Sequence, residues 1–403
     1  MGIGISAPGA LSDVVVLDLS RVLAGPFCTM MLSDLGAQVI KVELPGTGDD
    51  SRAFPPFVDG ESVYFKNLNR NKKGITLNLK SEKGREIFLR LVEKADILIE
   101  NYRPGTMEKL NLGWDVLKTV NSALVYGCVS GFGHTGPYAG RAGYDIVGQA
   151  MSGLMSVTGW PDGSPTRCGG PMSDVMSGIS LCGGVLAALH YSRSTGIGQK
   201  VDIALVDTLV ASMQIINQIF LATGRVPGRT GNRYESTYPY DTFPTKDHEE
   251  IVIGCANDKF WRILCEFMGR PDLIDDPDMS TNQSRVQNHA RVRAVVEEWT
   301  RTQNSQELAD KLLAKGLPAC PIYNIAQITQ DPQIAGSRQM FIEEEHPRIG
   351  KLKVTNTHIK LSETEAGFRT PPPDLGQHNH EIYCDLLRMA PAELKRLEEE
   401  RIV

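Results

Sequence analysis

Over its first 130 residues the chain alternates short apolar runs with stretches of helical spacing, and this alternation limits the fold more than any other feature. Asp13–Ser20 reads as a buried strand, and Gly25-Pro26 opens a helix over Pro26–Gly36, since proline suits a first helical turn. Gln38–Leu44 and Gly74–Leu79 read as strands, and Ser81–Ala95 has apolar residues at helical spacing. Asp96–Asn101 and Ala123–Ser130 are further strands, with a helix near Trp114–Val120 between them. Strands joined by helical crossovers of this length favour a mostly parallel sheet with helices on both faces, a doubly wound α/β fold.

Asp174–Ser192 and Ala204–Gly224 are the two longest apolar helix candidates, separated by a short strand at Gln199–Ile203. The second is apolar nearly all round, which suits a core or a subunit interface. Asp207, Gln214, Asn217 and Gln218 interrupt it, and no run reaches the roughly 20 apolar residues of a membrane span. Gly224–Tyr240 has no periodicity and reads as a linker. Beyond it, a strand at Ile251–Gly254 and helices at Asp258–Met268, Ser284–Arg301 and Ser305–Lys315 suggest a compact second unit. Strand patterns resume after Gln339, followed by the prolines 371–373 and a charged helix. For 403 residues the expected organisation is a large domain over 1–225, a small α/β domain over 226–329, and a segment 330–403 returning to the large domain.

A net charge of −6 argues against a nucleic-acid partner. Met1–Ser12 lacks the basic and apolar blocks of a signal peptide, and the eight cysteines form no C-x-x-C pair. A cytoplasmic chain with reduced, mostly buried thiols is expected. No cysteines or histidines cluster at ligand spacing, and no metal site is indicated; His378 and His380 follow a proline-rich loop where solvated side chains are expected. There is no phosphate-binding G-x-x-x-x-G-K-[ST] and no G-x-G-x-x-G after the first strand, which argues against ATP use and a nicotinamide dehydrogenase.

The segment CGGPMSDVMSG (residues 168–178) delivers the chain through two glycines and a proline to a long apolar helix, with Asp174 at its start. An acid there can simply cap the helix. On this segment alone capping leads, and it is compatible with a nucleophile held ionised by the helix terminus.

Other segments carry a family resemblance. VLDLSRVLAGPF (16–27), LGAQVIKVELPGTGDD (35–50), NRNKKGITLNLK (69–80), ENYRPGTMEKL (100–110) and SGFGHTGP (130–137) stand in order. AGYDIVGQAMSGLM (142–155), the Asp174 segment, STGIGQKVDIAL (194–205) and PPPDLGQHNHEI (371–382) follow. In these motifs the chain resembles the class III CoA-transferases, the formyl-CoA and carnitine CoA-transferase family, from about Leu11 to its C-terminus. Within that family it is most similar in pattern to succinyl-CoA:dicarboxylate enzymes of the glutarate kind.

The resemblance implies that Asp174 is the nucleophile that carries acyl and CoA in turn. It places coenzyme A at Leu23 and Ala24, at Leu77, Asn78 and Lys80, and at Asn101, Tyr102 and Arg103. Lys109, Arg141 and Tyr144 complete that set, and Lys72 and Lys73 read as a solvated surface pair. CoA thioesters enter as substrates, with no tightly bound cofactor. Partners are acyl-CoA, a carboxylic acid and a second copy in an interlocked homodimer, with active sites between the large domain and the partner's small domain.

Leu23 stands where the formyl-CoA enzyme has a glutamine, and Leu44 replaces an arginine. Oxalate and formyl-CoA are therefore expected to be poor substrates. Arg52, Arg103, Arg141 and Arg167 are candidates for an acceptor's distal carboxylate. The resemblance leaves two rivals, an α-methylacyl-CoA racemase and an acyl-CoA-binding protein without turnover. A racemase has histidine where this chain has Tyr144, and tyrosine, with an ordinary pKa of about 10, is a poor base at neutral pH. Gly131, Gly133 and Gly136 suit a ligand-binding βα loop or plain turns equally, whereas Gly254–Asp258 is better read as a helix cap than as an active-site loop.

Overall fold

Six parallel strands form the large sheet of the computed structural model, which describes residues 9–346 and 348–403. The N-terminal reading over Met1–Ser12 thus lies largely outside the described residues. The strands are β1 (Val15–Asp18), β2 (Gln38–Glu43), β3 (Lys72–Thr76), β4 (Ile97–Glu100), β5 (Val125–Ser130) and β6 (Lys200–Ala204). Their order is β3-β2-β1-β4-β5-β6, with Val16 opposite both Val39 and Ile97. The order reverses between β1 and β4, and in such sheets the carboxyl ends of those two strands part to leave a crevice.

Helices α1 (Ala24–Asp34), α2 (Glu82–Val92), α3 (Trp114–Val120), α4 (Asp145–Met151), α5 (Met172–Thr195) and α6 (Leu205–Ser212) flank the sheet and its carboxyl edge. The two-residue period of the strands divides the core. Val16, Val39 and Ile97 pack with Cys28, Leu32, Leu181 and Val185 of α1 and α5. Leu17, Ile40 and Leu98 pack on the opposite face with Phe88, Leu117 and the C-terminal Tyr383 and Leu397. Helix α5 can lie so close to the sheet because residue 127 is glycine; a Cβ there would come within 2.8 Å of Val185. At 24 residues α5 meets the length and apolarity of a membrane span, unlike the sequence reading, and its buried face is part of this core.

Two helices expected to be continuous, one apolar and one polar, are broken. The 204–224 stretch splits at Met213 into α6 and Gln214–Thr223, bent by 75°. The Asn217 side-chain amide donates to the Val210 carbonyl at 2.7 Å and replaces the lost helical bond. Likewise 284–301 divides at Asn288, whose side chain donates to the Ser284 carbonyl.

The described residues form two compact units, one from 9–154, 168–217 and 333–403, and the other from 155–167 and 218–332. The second therefore includes a segment, 155–167, that the sequence organisation left in the first. It is built on a three-stranded antiparallel sheet, β7 (Tyr240–Pro244), β8 (Glu250–Gly254) and β9 (Ala319–Pro321), in the order β9-β8-β7. Strand β7 begins at the last residue of the stretch read as a linker and has no counterpart in the sequence reading. Trp261, Phe243, Leu264 and Val296 fill its core. In the first unit the C-terminal segment runs along β3, where the His378 Nδ1 accepts from the Gly74 amide and the Tyr383 hydroxyl donates to the Thr76 carbonyl. His378 is thus fixed rather than freely solvated.

Buried ion pairs clamp the carboxyl ends of β1 and β2. Lys72, expected at the surface, is wholly buried and donates to Asp18, Thr29 and Asn69. Lys41 donates to Asp49 at 2.8 Å, and Asp49 in turn accepts from the Val22 and Ser51 amides. Lys73 pairs with Glu381. Removing one partner of a buried pair strands the other charge, so Lys72→Met should lower unfolding free energy by about 3–5 kcal/mol. Denaturant titration checks this; a loss below about 1 kcal/mol would contradict the structural role given to the pair.

Candidate active site

The crevice between β1 and β4 opens on the turns that follow those strands, Arg21–Ala24 and Asn101–Arg103. Val22 in the first turn has φ +67°, a costly conformation for a β-branched residue, held by the Val22 amide's bond to Asp49. From the next strand, β5, the chain enters a glycine loop. A Cβ on Gly131 would lie 2.7 Å from the Gly143 Cα, so these glycines let the loop and the start of α4 touch backbone to backbone. Gly133 and Gly136 have φ of +79° and +86° and form the turn between them.

Asp174 is the third residue of α5, and the cap position belongs to Pro171, which has no side-chain capping bond. The role of capping group falls instead to Asp145, at the start of α4. Its Oδ1 accepts from the Ser173 amide at 2.8 Å and the Ser173 hydroxyl at 2.9 Å, and its Oδ2 accepts from the Gln149 amide at 2.7 Å. The reading of Asp174 as a helix cap therefore does not hold. Nor is Asp174 held ionised by the helix terminus. Burial, and then the charge of the neighbouring Asp145, push its carboxyl up to about 7.

Asp174 lines a cavity of about 200 Å³ together with Leu23, Ala24, Asn101, Tyr102, Arg103, Arg141 and Tyr144. A second cavity of about 290 Å³ is lined by Leu77, Asn78 and Lys80, and by Leu44 and Leu110. Arg21, Asp50 and Tyr102 line both, so the two form one cleft. The exposed Lys109 lines neither, although its neighbours Thr106 and Leu110 do.

Of the candidate arginines, Arg52 is taken by Glu43 in a two-bond fork, both at 2.7 Å, and is removed as a substrate cation. Arg167 belongs to the second unit. Arg103 and Arg141 face the Asp174 cavity. Arg21 does too, 3.1 Å from Asp50, and was missed, as was Asp145. The Gly-Tyr-Asp sequence followed by Gln149 four residues on was the available signal for Asp145. Gly254–Asp258 ends in a cap, Asn257 accepting from the Phe260 amide.

In comparisons with known proteins, the family model for CoA-transferase family III matches residues 11–379. The chain is 38% identical over 397 residues to the succinyl-CoA–D-citramalate CoA-transferase of Chloroflexus aurantiacus, covering 98% of each. It is 41% identical to the acetyl-CoA:oxalate CoA-transferase of Acetobacter aceti, over 88% of this chain and 90% of that one. It is 39% identical to the human succinyl-CoA:glutarate CoA-transferase, over 94% of this chain and 86% of the relative. A CAIB/BAIF family protein from Brucella suis has the same fold, with TM-score 0.83 and 36% identity over 94% of this chain and all of its own.

Asp145→Asn keeps the outline of that side chain and removes its charge. The Asp174 carboxyl should then titrate clearly below about 7, followed by carbon-13 NMR of aspartate-labelled protein against an Asp174→Asn reference. An unmoved titration would mean that burial alone sets it.

Proposed function

The chain belongs to CoA-transferase family III and is a CoA-transferase, and on that premise we propose that it moves CoA from succinyl-CoA to a dicarboxylic acid through intermediates bonded to Asp174. The observation that carries the reading is the Asp174 carboxyl itself, released from capping and facing a cleft at the sheet's switch point. Its raised pKa makes it a more basic, and so better, nucleophile than an ordinary aspartate once ionised.

The carboxylate attacks the thioester carbonyl, the C–S bond breaks, and a mixed anhydride forms while CoA thiolate stays in the cleft. The thiolate attacks the aspartyl carbonyl of that anhydride, giving an aspartyl-CoA thioester and the free donor acid. The acceptor carboxylate attacks this thioester and again releases thiolate. The thiolate then attacks the acceptor's acyl carbon, forming the new acyl-CoA and restoring Asp174. No proton, oxidant or nucleotide is consumed, and one hard exchange becomes several easier ones.

The apolar wall of Leu44, Leu77 and Leu110 with Lys80 suits the nucleotide end of CoA, and Asp174 the thioester end. Arg103 and Arg141 supply cations for the acceptor's distal carboxylate. Named acceptors of the relatives include citramalate, glutarate and oxalate, so oxalate stays among the acids to be assayed. Val210 and Ile215 stand exposed on the bent helices, which supports a second copy covering them in a homodimer.

Asp174→Asn should abolish transfer, by more than about 1000-fold, in a folded protein. In the wild type, mass spectrometry of the Asp174 peptide after mixing with succinyl-CoA should show a CoA adduct. Below about pH 7 the nucleophile is protonated, so kcat/KM should fall about tenfold per pH unit there and level off above. Arg103→Ala or Arg141→Ala should lower activity with succinate and glutarate more than with a monocarboxylate; equal losses on both would remove the distal-carboxylate role.

A further inference from the structure

Glu100 closes β4 directly before the turn that lines the cleft, and it is buried, 1% exposed. Two donors bond its carboxylate, and a third group stands beyond hydrogen-bond reach. Oε2 accepts from the Tyr102 amide at 2.7 Å, Oε1 accepts from the Tyr126 hydroxyl at 3.0 Å, and the His134 Nε2 lies 3.8 Å from Oε1. Beyond His134, Nδ1 is 2.9 Å from the Lys200 Nζ, and the His134 amide donates to Asp202.

An ammonium can only donate, so Nδ1 accepts from Lys200 and the ring's single proton sits on Nε2, aimed at Glu100. Burial and Lys200 both hold this imidazole neutral. That arrangement also decides against a metal ion. Glu100, Cys128 and His134 offer ligand atoms within 4.8 Å of one another, but the Nε2 proton stands where a cation would bind.

We propose that Glu100 is a positioning residue for CoA, its carboxylate fixing the backbone of the Asn101–Arg103 turn through the Tyr102 amide so that this turn meets the cofactor portion of the substrate. The inference rests on the transferase reading above. Tyr102 lines both parts of the cleft, and Asn101 bonds the opposite wall through the Arg21 backbone, accepting its amide at 2.8 Å and donating to its carbonyl at 2.7 Å. A turn released at Tyr102 would therefore disturb both walls. The Glu100 carboxyl offers an oxygen to the Tyr102 amide and another to the Tyr126 hydroxyl, whereas a leucine of similar outline offers an acceptor to neither. Burial pushes the Glu100 carboxyl up to about 7, opposed by the Tyr102 amide, the Tyr126 hydroxyl and Lys200, with Glu108 adding to the rise.

The test is calorimetric binding of CoA to the full chain, with steady-state kinetics alongside. Glu100→Leu, which removes both acceptors, should weaken CoA binding by about tenfold and raise KM for the acyl-CoA more than it lowers kcat, and Glu100→Gln, whose side-chain oxygen can still accept from the Tyr102 amide, should keep most of the affinity. Tyr126→Phe, which removes one donor without touching the backbone, should weaken binding by about two- to fivefold. Wild-type affinity in Glu100→Leu, or a fall in kcat with KM unmoved, would overturn the inference while leaving the Asp174 chemistry intact. Should Glu100→Leu fail to fold, unchanged CoA affinity in Tyr126→Phe would overturn it. A wild-type chain that itself binds no CoA would sink the transferase reading and this inference with it.

Discussion

A helix terminus has few free amides to offer an anion, and in this chain Asp145 rather than Asp174 is bonded to the one at Ser173. That single bond has two consequences. It satisfies the start of α5 without using the Asp174 side chain, and it places a second negative charge beside that side chain. Asp174 is left half-buried with its pKa raised, a carboxyl poised to titrate near neutrality and to form a bond. A capping aspartate would be more acidic, more firmly held and a poorer nucleophile.

The sheet supplies the place for this chemistry. Reversal of strand order between β1 and β4 parts two turns, and the turns are then locked from below by groups with no direct part in the exchange. Lys41 with Asp49 and Lys72 with Asp18 hold the first wall. Glu100 holds the second. Buried charges of this sort add little net stability compared with apolar packing, but each fixes a direction that apolar packing would leave loose. On the third side Gly131 and Gly143 draw the glycine loop against α4, which carries Asp145 to the start of α5.

The architecture was legible because apolar periodicity reports it directly: all six sheet strands and helices α1, α2 and α3 lie where the runs of Val, Ile and Leu place them. What the sequence hid were effects of side chains on backbone geometry. Asn217 breaks an otherwise apolar helix, and no periodicity marks it. Strand β7, Tyr-Asp-Thr-Phe-Pro, is short and begins where a glycine- and arginine-rich stretch ends, so no periodicity marked it. At the site, Asp174 could be singled out by the family resemblance, but its ionisation could not, since that depends on its burial and then on a residue 29 positions earlier. Lys72 looked like a solvated surface lysine and Arg52 like a cation free for a substrate; their partners Asp18 and Glu43 stand at the ends of β1 and β2, a pairing visible only in the folded chain.

The most direct examination of covalent participation by Asp174 follows oxygen rather than rate. In a single turnover with a carboxylate acceptor labelled with oxygen-18 in both positions, the anhydride route leaves one labelled oxygen on the Asp174 side chain when the new thioester departs. Mass analysis of the Asp174 peptide should find that label, and the next turnover should pass part of it to the released donor acid. If the label instead reached the donor acid in the first turnover while the peptide stayed unlabelled, the two acids would be reacting with each other directly, and the account given for Asp174 would be wrong.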